Sequence, residues 1–405
     1  MENDENSKLK IVVYVLVIVV SCLFIFVGNK ICKTDLLNEE TGEFYKAKVE
    51  TVGKIDSEKY SVGDEFYENK TINFTAKILN GDKKNQIIEG KQNIDQMYAS
   101  QPNEIKEGSN IIIGLMNIGI DAPPEWTFIE YNRSDILIWL IVAFFALILI
   151  LGRKKGFSTI VSLIFTILAI FLVFIPSILK GYNIYLTTII VSGFIILMNL
   201  LIINGANKKT LCAILGNAGG VAVAGIIAII MSNILKITGI VDQEYVFLMT
   251  AQIDVKIDLI AIVWAGIVIG SLGAVMDVAM SIASALNELS ENMGERTFSK
   301  MLKSGMNIGR DAIGTMTNTL ILAYVGSSLA TVLLFMIYNK NILYLFNMEM
   351  IVVEVLQAIV GSMGILFAVP ATAIFASYIF TKKGKNKNKN INQTANIKSR
   401  RDIKF

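Results

Sequence analysis

LIAIVWAGIVIGSLGAVMDVAMSIASAL, residues Leu259 to Leu286, holds a single charge, the carboxylate of Asp277, in a run otherwise apolar and longer than a bilayer crossing needs. A membrane helix takes about 20 such residues. Runs of this kind recur along the chain, and the composition agrees: of 405 residues, 53% are hydrophobic and only 18% charged. Working outward from Leu259, the sequence predicts a polytopic α-helical membrane protein with about eight spans. They run from Leu9 to Val27, Ile136 to Leu151, Phe157 to Leu179, Ile184 to Ile203, Leu211 to Leu235, Leu259 to Leu286, Ala312 to Tyr338 and Met350 to Phe380. Pro370 predicts a kink in the last.

Several chemistries are excluded by what is missing. The chain has no histidine, which removes Ser-His-Asp and Cys-His nucleophile systems and HExxH zinc sites. Cys22, Cys32 and Cys212 are isolated thiols without CxxC spacing, so neither a disulfide framework nor a zinc site is indicated. No enzymatic activity, cofactor or metal is expected. VVSC, from Val19 to Cys22, has the form of a lipoprotein cleavage box, but apolar LFIFV continues past the cysteine, which favours an uncleaved first helix.

Short-loop charge sets the orientation. Arg153, Lys154 and Lys155, then Lys208 and Lys209, then Arg296, Lys300, Lys303 and Arg310, and finally Lys382, Lys383, Lys385, Lys387 and Lys389 all fall on one side of the predicted spans. The alternate loops hold Lys180, Lys236, Lys256 and Lys340, balanced by Asp242, Glu244, Asp254 and Asp258. The positive-inside rule then places both termini in the cytoplasm. The basic tail 382–405 reads as a disordered stop-transfer end rather than a nucleic-acid patch.

Between the first span (1–30) and the seven-helix bundle (135–381), residues 31–134 change character. FYKAKVETV, KTINFTAKIL, QIIEGKQNI, GSNIIIGLM and EWTFIEYN alternate with period two, and NGDKKN at Asn80 to Asn85 is a turn. Five short strands predict a small extracytoplasmic β-barrel of the OB or SH3 kind. It lacks an aromatic stripe beside a basic groove, so nucleic acid is not an expected ligand. Docking of a partner ranks above ligand binding.

Charged groups inside spans cost about 2.5 to 3.5 kcal/mol at helix centre and call for a partner or a purpose. Helical spacing places Gly266, Gly270, Gly273, Asp277 and Ser281 on one face of the sixth span, which is expected to turn inward. SGMNIGRDAIGTMTNTLILAY (Ser304 to Tyr324) lays Asn307, Arg310, Asp311, Gly314, Thr315 and Asn318 along one stripe of the next. The connector 287–310 spaces Phe298, Met301 and Leu302 as an amphipathic surface helix. Glu354 and Gln357 share a face of the last span, Asn199 and Asn217 lie in the fourth and fifth, and Gly216, Gly220 and Ala224 form a packing stripe. Asp277 is open to two readings: a helix lock satisfied by Arg310, or a titrating or cation-binding carboxylate in a transport pathway.

GAVMDVAMSIASALNEL, followed by SGMNIGRDAIGTMTNTLILAYVGSSL, resembles the YibE/F family of bacterial membrane proteins, as does the order of one helix, outer β domain and helical bundle. The resemblance implies a multi-pass protein of the bacterial cytoplasmic membrane and no defined activity. The stretch from Gly270 to Thr319 is also similar, more loosely, to the membrane helices of SecF and of proton-driven RND exporters. Together these readings predict a proton- or ion-coupled transporter of a small molecule. Asp277 is its coupling carboxylate, Arg310 and Asp311 a cytoplasmic-side switch, Ser281, Thr315 and Asn318 a polar lining, and Glu354 an outer acid. The alternative is a membrane scaffold or envelope-stress sensor whose outer domain binds a partner. The bilayer, a partner membrane protein and a second copy of the chain are the expected associates.

Overall fold

The computed structural model describes residues 2–33, 43–62, 65–96, 102–116, 124–250, 255–293, 296–338 and 341–401, with the backbone alone for 2–10 and 382–401. Asp254 and Lys340, counted among the loop charges, lie outside the described residues. Contacts divide the chain into two units, Asp35–Leu147 and Met1–Thr34 with Ile148–Phe405.

The first unit holds the expected five-stranded barrel. Its strands are β1 (Phe44–Val62), β2 (Glu65–Ile78), β3 (Ile87–Asp95), β4 (Asn110–Met116) and β5 (Glu125–Tyr131). They close in the order β1-β2-β3-β5-β4, which leaves no open sheet edge. Period-two alternation turns Ala47, Val49, Ile72, Phe74, Ala76, Ile78, Ile111 and Ile113 inward, all at most 2% exposed. Each fully buried isoleucine contributes about 1.5–3 kcal/mol. Tyr45 and Phe74 are core residues, whereas Phe66 is 82% exposed.

Closure is narrow at one seam. β3 and β5 run parallel and pair only at Gly90 with Trp126 and Lys91 with Thr127. Beyond that point the fully buried Gln92 takes over the ladder's role. Its Nε2 donates to Asn103 O (2.9 Å) and its Oε1 accepts from Ile105 N (2.9 Å). A buried amide is tolerated because both its ends are bonded.

The second unit is helical. It holds α1 (Glu2–Cys32) and, from Ile148 on, α2 (Ser134–Ala169), after which a one-turn π segment, Ile170–Phe174, leads into α3 (Ile175–Leu179). There follow α4 (Ile184–Asn204), α5 (Lys208–Ile234), the short α6 (Gln243–Thr250), α7 (Leu259–Asn292), α8 (Phe298–Ser327), α9 (Leu329–Tyr338), α10 (Ile342–Leu345) and α11 (Glu349–Arg401). Among the described residues, six helices are long and apolar enough to cross a membrane, and a seventh span is made if α8 and α9, bent by 57°, count as one. These are the dimensions of a membrane protein.

The count differs from eight because the second and third expected spans fall in one stretch, Ser134–Leu179. That stretch is not a straight rod. Arg153 takes non-helical angles (φ 48°, ψ −125°), and Gly156 comes so close to the carbonyl of Ile148 that a Cβ there would collide with it. The break falls at the Arg153–Lys155 cluster. The seventh span also differs from the expected single helix: α8 ends at Ser327, and the hydroxyls of Ser327 and Ser328 both donate to Tyr324 O (2.8 and 3.0 Å), an arrangement that bends helices. The connector is not a separate surface helix. α7 runs on to Asn292, and α8 starts at Phe298, where Thr297 caps it by accepting from Lys300 N. α11 continues past Pro370 and into the basic tail that was expected to lack structure, since no second proline interrupts it.

Glycines mark the crossings. A Cβ on Gly220 would lie 2.6 Å from Gly364 O and 2.8 Å from Ala368 Cβ, and one on Gly216 would collide with Thr372. α5 and α11 therefore touch backbone to backbone along the Gly216, Gly220, Ala224 stripe, as small-residue stripes permit. Gly305 and Gly309 do the same for α8, admitting Leu286 and Ile282 of α7 with Ala373 and Val369 of α11. Trp264 Nε1 donates to Gly225 O (2.8 Å), tying α7 to α5.

Candidate functional site

The packing of α7 decides which of its faces is free. Val275, Val278, Ile282 and Leu286 are fully buried against the bundle. The opposite face, with Gly266, Gly270, Gly273, Asp277 and Ser281, is exposed, contrary to the expectation that it turns inward. The reason is the crossing just described: α8 is received on the apolar side of α7, through Gly305 and Gly309. Above Gly266 and Gly273 there is open space.

Asp277 has neither a hydrogen bond nor an ion pair among the described residues. The pairing with Arg310 that a helix lock would require is not made. Arg310 instead donates to Asn307 Oδ1, one turn back along its own helix, at 3.4 Å. Asn307, Arg310, Asp311, Gly314, Thr315 and Asn318 are all exposed along α8. Thr315 Oγ1 turns back to Ala312 O (3.1 Å) and Thr319 Oγ1 to Thr315 O (2.8 Å), so these hydroxyls spend their protons within the helix and keep acceptor capacity outward.

One residue that the sequence reading passed over joins the two regions. Tyr324, on the last turn of α8, places its hydroxyl over Gly270, where a Cβ would come within 2.6 Å. The same side chain lines a cavity of about 220 Å³ with Ser328, Thr331, Glu354 and Ala358. Glu354 and the Gly270 to Ser281 face are thus linked through one tyrosine. A second cavity, of about 620 Å³, is lined by Asp242, Gln243, Glu244, Tyr344 and Glu349. Glu349 also anchors a loop, accepting from Thr238 N (2.8 Å), Thr238 Oγ1 (2.9 Å) and Gly239 N (2.7 Å). In the sequence Asp242 and Glu244 read only as loop charges, and nothing marked Tyr324 beyond its position near the end of a span.

The asparagines of α4 and α5 differ. Asn199 accepts from Ser162 Oγ and donates to Thr166 Oγ1 (3.3 Å), an interhelical polar clasp between α2 and α4. Asn217 is fully buried in α5, and neither amide atom has a hydrogen-bond partner among the described residues. No cluster of three or more His, Cys, Asp or Glu able to hold a metal ion occurs among the described residues.

No curated protein and no solved structure matches the chain significantly. A family model described as YibE/F-like protein matches residues 140–382, more than half of the sequence, and takes in the break at Arg153, the open face of α7 and the tyrosine link to Glu354; the chain belongs to the YibE/F-like family.

Proposed function

We propose that the protein is a cation-coupled transporter of a small molecule in the bacterial cytoplasmic membrane, with both termini cytoplasmic and Asp277 as the coupling carboxylate. The observation that carries this reading is an aspartate without a partner among the described residues, on an exposed face of a helix otherwise apolar enough to span the bilayer. Such a group is costly against lipid, and it is retained where water, an ion or a substrate meets it. A carboxylate that exchanges a proton or a cation there changes the charge of the face, and so biases which packing of α7 and α8 is favoured.

In this reading the route starts at the cavity holding Asp242, Glu244 and Glu349, passes Glu354 and Tyr324, and reaches the face of Asp277, Ser281, Thr315 and Asn318. Acids at its outer end favour cations. Arg310 and Asp311 stand midway along α8, on the N-terminal side of Thr315 and Asn318, and act as the cytoplasmic-side switch. The chain has no histidine to serve as a base, and we assign the bundle transport rather than catalysis.

The test is thiol accessibility. In a background with Cys22, Cys32 and Cys212 replaced, single cysteines at Asp277, Ser281, Thr315 and Asn318 should react with a small charged thiol reagent, and Asp277→Asn should abolish ion-driven flux in vesicles while the protein stays folded. Protection of all four positions from both sides, with a phenotype unchanged in Asp277→Asn, would reject this reading in favour of a non-transporting scaffold.

A further inference from the structure

The 57° bend between α8 and α9 has an apolar cavity beside it. Tyr324 and Val325 line this space of about 220 Å³ from α8, Thr331 and Val332 from α9, and Val355 and Ile359 from α11. The larger cavity, of about 620 Å³, continues it. One turn further along α9, Leu334 and Phe335 line the larger cavity, and on α11 its Glu349 and Met350 directly precede Ile351 of the smaller. The two therefore follow one another in a single groove between α9 and α11, one compartment acidic and the other apolar.

The larger compartment selects charge. Asp242, Glu244 and Glu349 line it with no lysine or arginine among its described lining residues, and none of the three forms an ion pair among the described residues. Glu349 is held by Thr238 and Gly239, so it supplies fixed negative charge. Asp242 Oδ1 accepts from Tyr245 N (3.3 Å), which leaves Asp242 Oδ2 and the Glu244 carboxylate as acceptors. Phe335 and Tyr344 share the lining. Neither ring meets another ring or a cation among the described residues, and Tyr344 is 55% exposed. Carboxylates beside open aromatic faces are the surroundings that hold an ammonium head. A bare inorganic cation would use the oxygens and gain nothing from the apolar compartment. An anionic head would meet uncompensated carboxylates, with Glu354 as a further one in the smaller compartment.

The smaller compartment selects shape. Its volume lies below the roughly 300–1,000 Å³ that encloses a drug-sized ligand, so it admits one alkyl chain or ring system and not two acyl chains. We propose that the groove between α9 and α11 binds amphiphilic amines, with a primary or quaternary ammonium head at Asp242, Glu244, Phe335 and Tyr344 and a single apolar tail beside Val355 and Ile359. This names the substrate class of the transporter and rests on the transport reading for carriage, whereas binding itself requires no flux.

The test uses the full-length protein in phosphatidylcholine nanodiscs, titrated calorimetrically with octyltrimethylammonium against empty nanodiscs. Saturable binding is expected, at least about tenfold tighter than that of tetramethylammonium, which has the head without the tail, and octanesulfonate, the tail with an anionic head, should show none. Asp242→Asn combined with Glu244→Gln should weaken binding by about tenfold or more with the thermal midpoint unchanged, since asparagine retains the bond to Tyr245 N. Tyr344→Leu should weaken it by about threefold. Val355→Trp, at a position 43% exposed, should fill the tail compartment and weaken it as well. The substitutions sit on different elements, so a folding defect in one does not decide the outcome. Absence of saturable binding, equal affinity for octanesulfonate or for tetramethylammonium, or affinity indifferent to both the acidic double variant and Val355→Trp would overturn the proposal. Asp277→Asn should lose flux and keep this binding; saturable binding by a protein that carries no ion-driven flux would overturn the transport reading and uphold the site.

Discussion

Gly220 and Gly273 are both helical glycines of the bundle, and their surroundings give them opposite roles. A Cβ at Gly220 meets the Gly364 carbonyl at 2.6 Å, whereas one at Gly273 meets nothing within 4 Å. Gly220→Val should therefore force α5 and α11 apart, a cost of about 1–3 kcal/mol by overpacking, seen as a lowered thermal midpoint and early aggregation in detergent. Gly273→Ala should instead leave the midpoint unchanged or raise stability by about 0.5–1 kcal/mol, the ordinary gain from replacing an unoccupied mid-helix glycine. A midpoint lowered by Gly273→Ala would show that something covers this face. The stripe Gly216, Gly220, Ala224 was legible as packing from its spacing. That Gly305 and Gly309, rather than Gly270 and Gly273, would receive the α7–α8 crossing was not, because spacing puts small residues on a face without saying which face is met. The same limit explains Asp277, whose place in a span was readable and whose lack of Arg310 as a partner was not.

At the level of elements, the turn between β2 and β3 and the start of β1 are joined by a small charged cluster. The Tyr45 hydroxyl donates to Asp82 (2.8 Å) and to Glu43 (3.1 Å), and Lys83 donates to Glu43 (2.6 Å) while lying over the Tyr45 and Trp126 rings. The hydrogen bond from Lys83 holds the Glu43 carboxyl below its ordinary range, and that from Tyr45 does the same for Asp82. The bond to Asp82 pushes the Tyr45 phenol up to about 12, and Glu43 raises the Lys83 ammonium. The signs differ. Lowered carboxylates stabilise the barrel above their unfolded values of 4.5 and 3.8, and that contribution is lost as pH falls through the folded values. The raised phenol and ammonium stabilise it below 10.0 and 10.5, and their contribution is lost as pH rises through the folded values. Amide exchange of residues 44–48 and 78–85 should thus accelerate at both extremes, and Lys83→Ala should narrow the protected range on both sides. A flat profile through acid and alkali would remove the cluster from the account of barrel stability. The strands themselves were readable because their period of two is local, down to the turn at Asn80 to Asn85. The bulges in β1 and the two-pair seam between β3 and β5 were not, since strand pairing joins residues far apart in sequence.

For the molecule as a whole, the charges of the short connections make a prediction about topology. Fusions of a reporter active only outside the cytoplasm should be silent after Lys155, Lys209 and Lys303 and active within the barrel and after Ile240. Activity after Lys155 would mean that the break at Arg153 is not a connection between spans, and that Ser134–Leu179 counts once. Membrane class, the five-stranded barrel and the family were determined by the sequence alone, because the hydrophobic run, the period of two and the paired motifs around Asp277 and Arg310 are written in neighbouring residues. Tertiary structure decided what those residues do for one another: that the polar face of α7 stays open, that Tyr324 bridges Gly270 and Glu354, and that an acidic and an apolar cavity follow one another between α9 and α11. Each of these depends on where one element crosses another, which is set by the fit of side chains into the spaces between helices and strands and not by any local pattern.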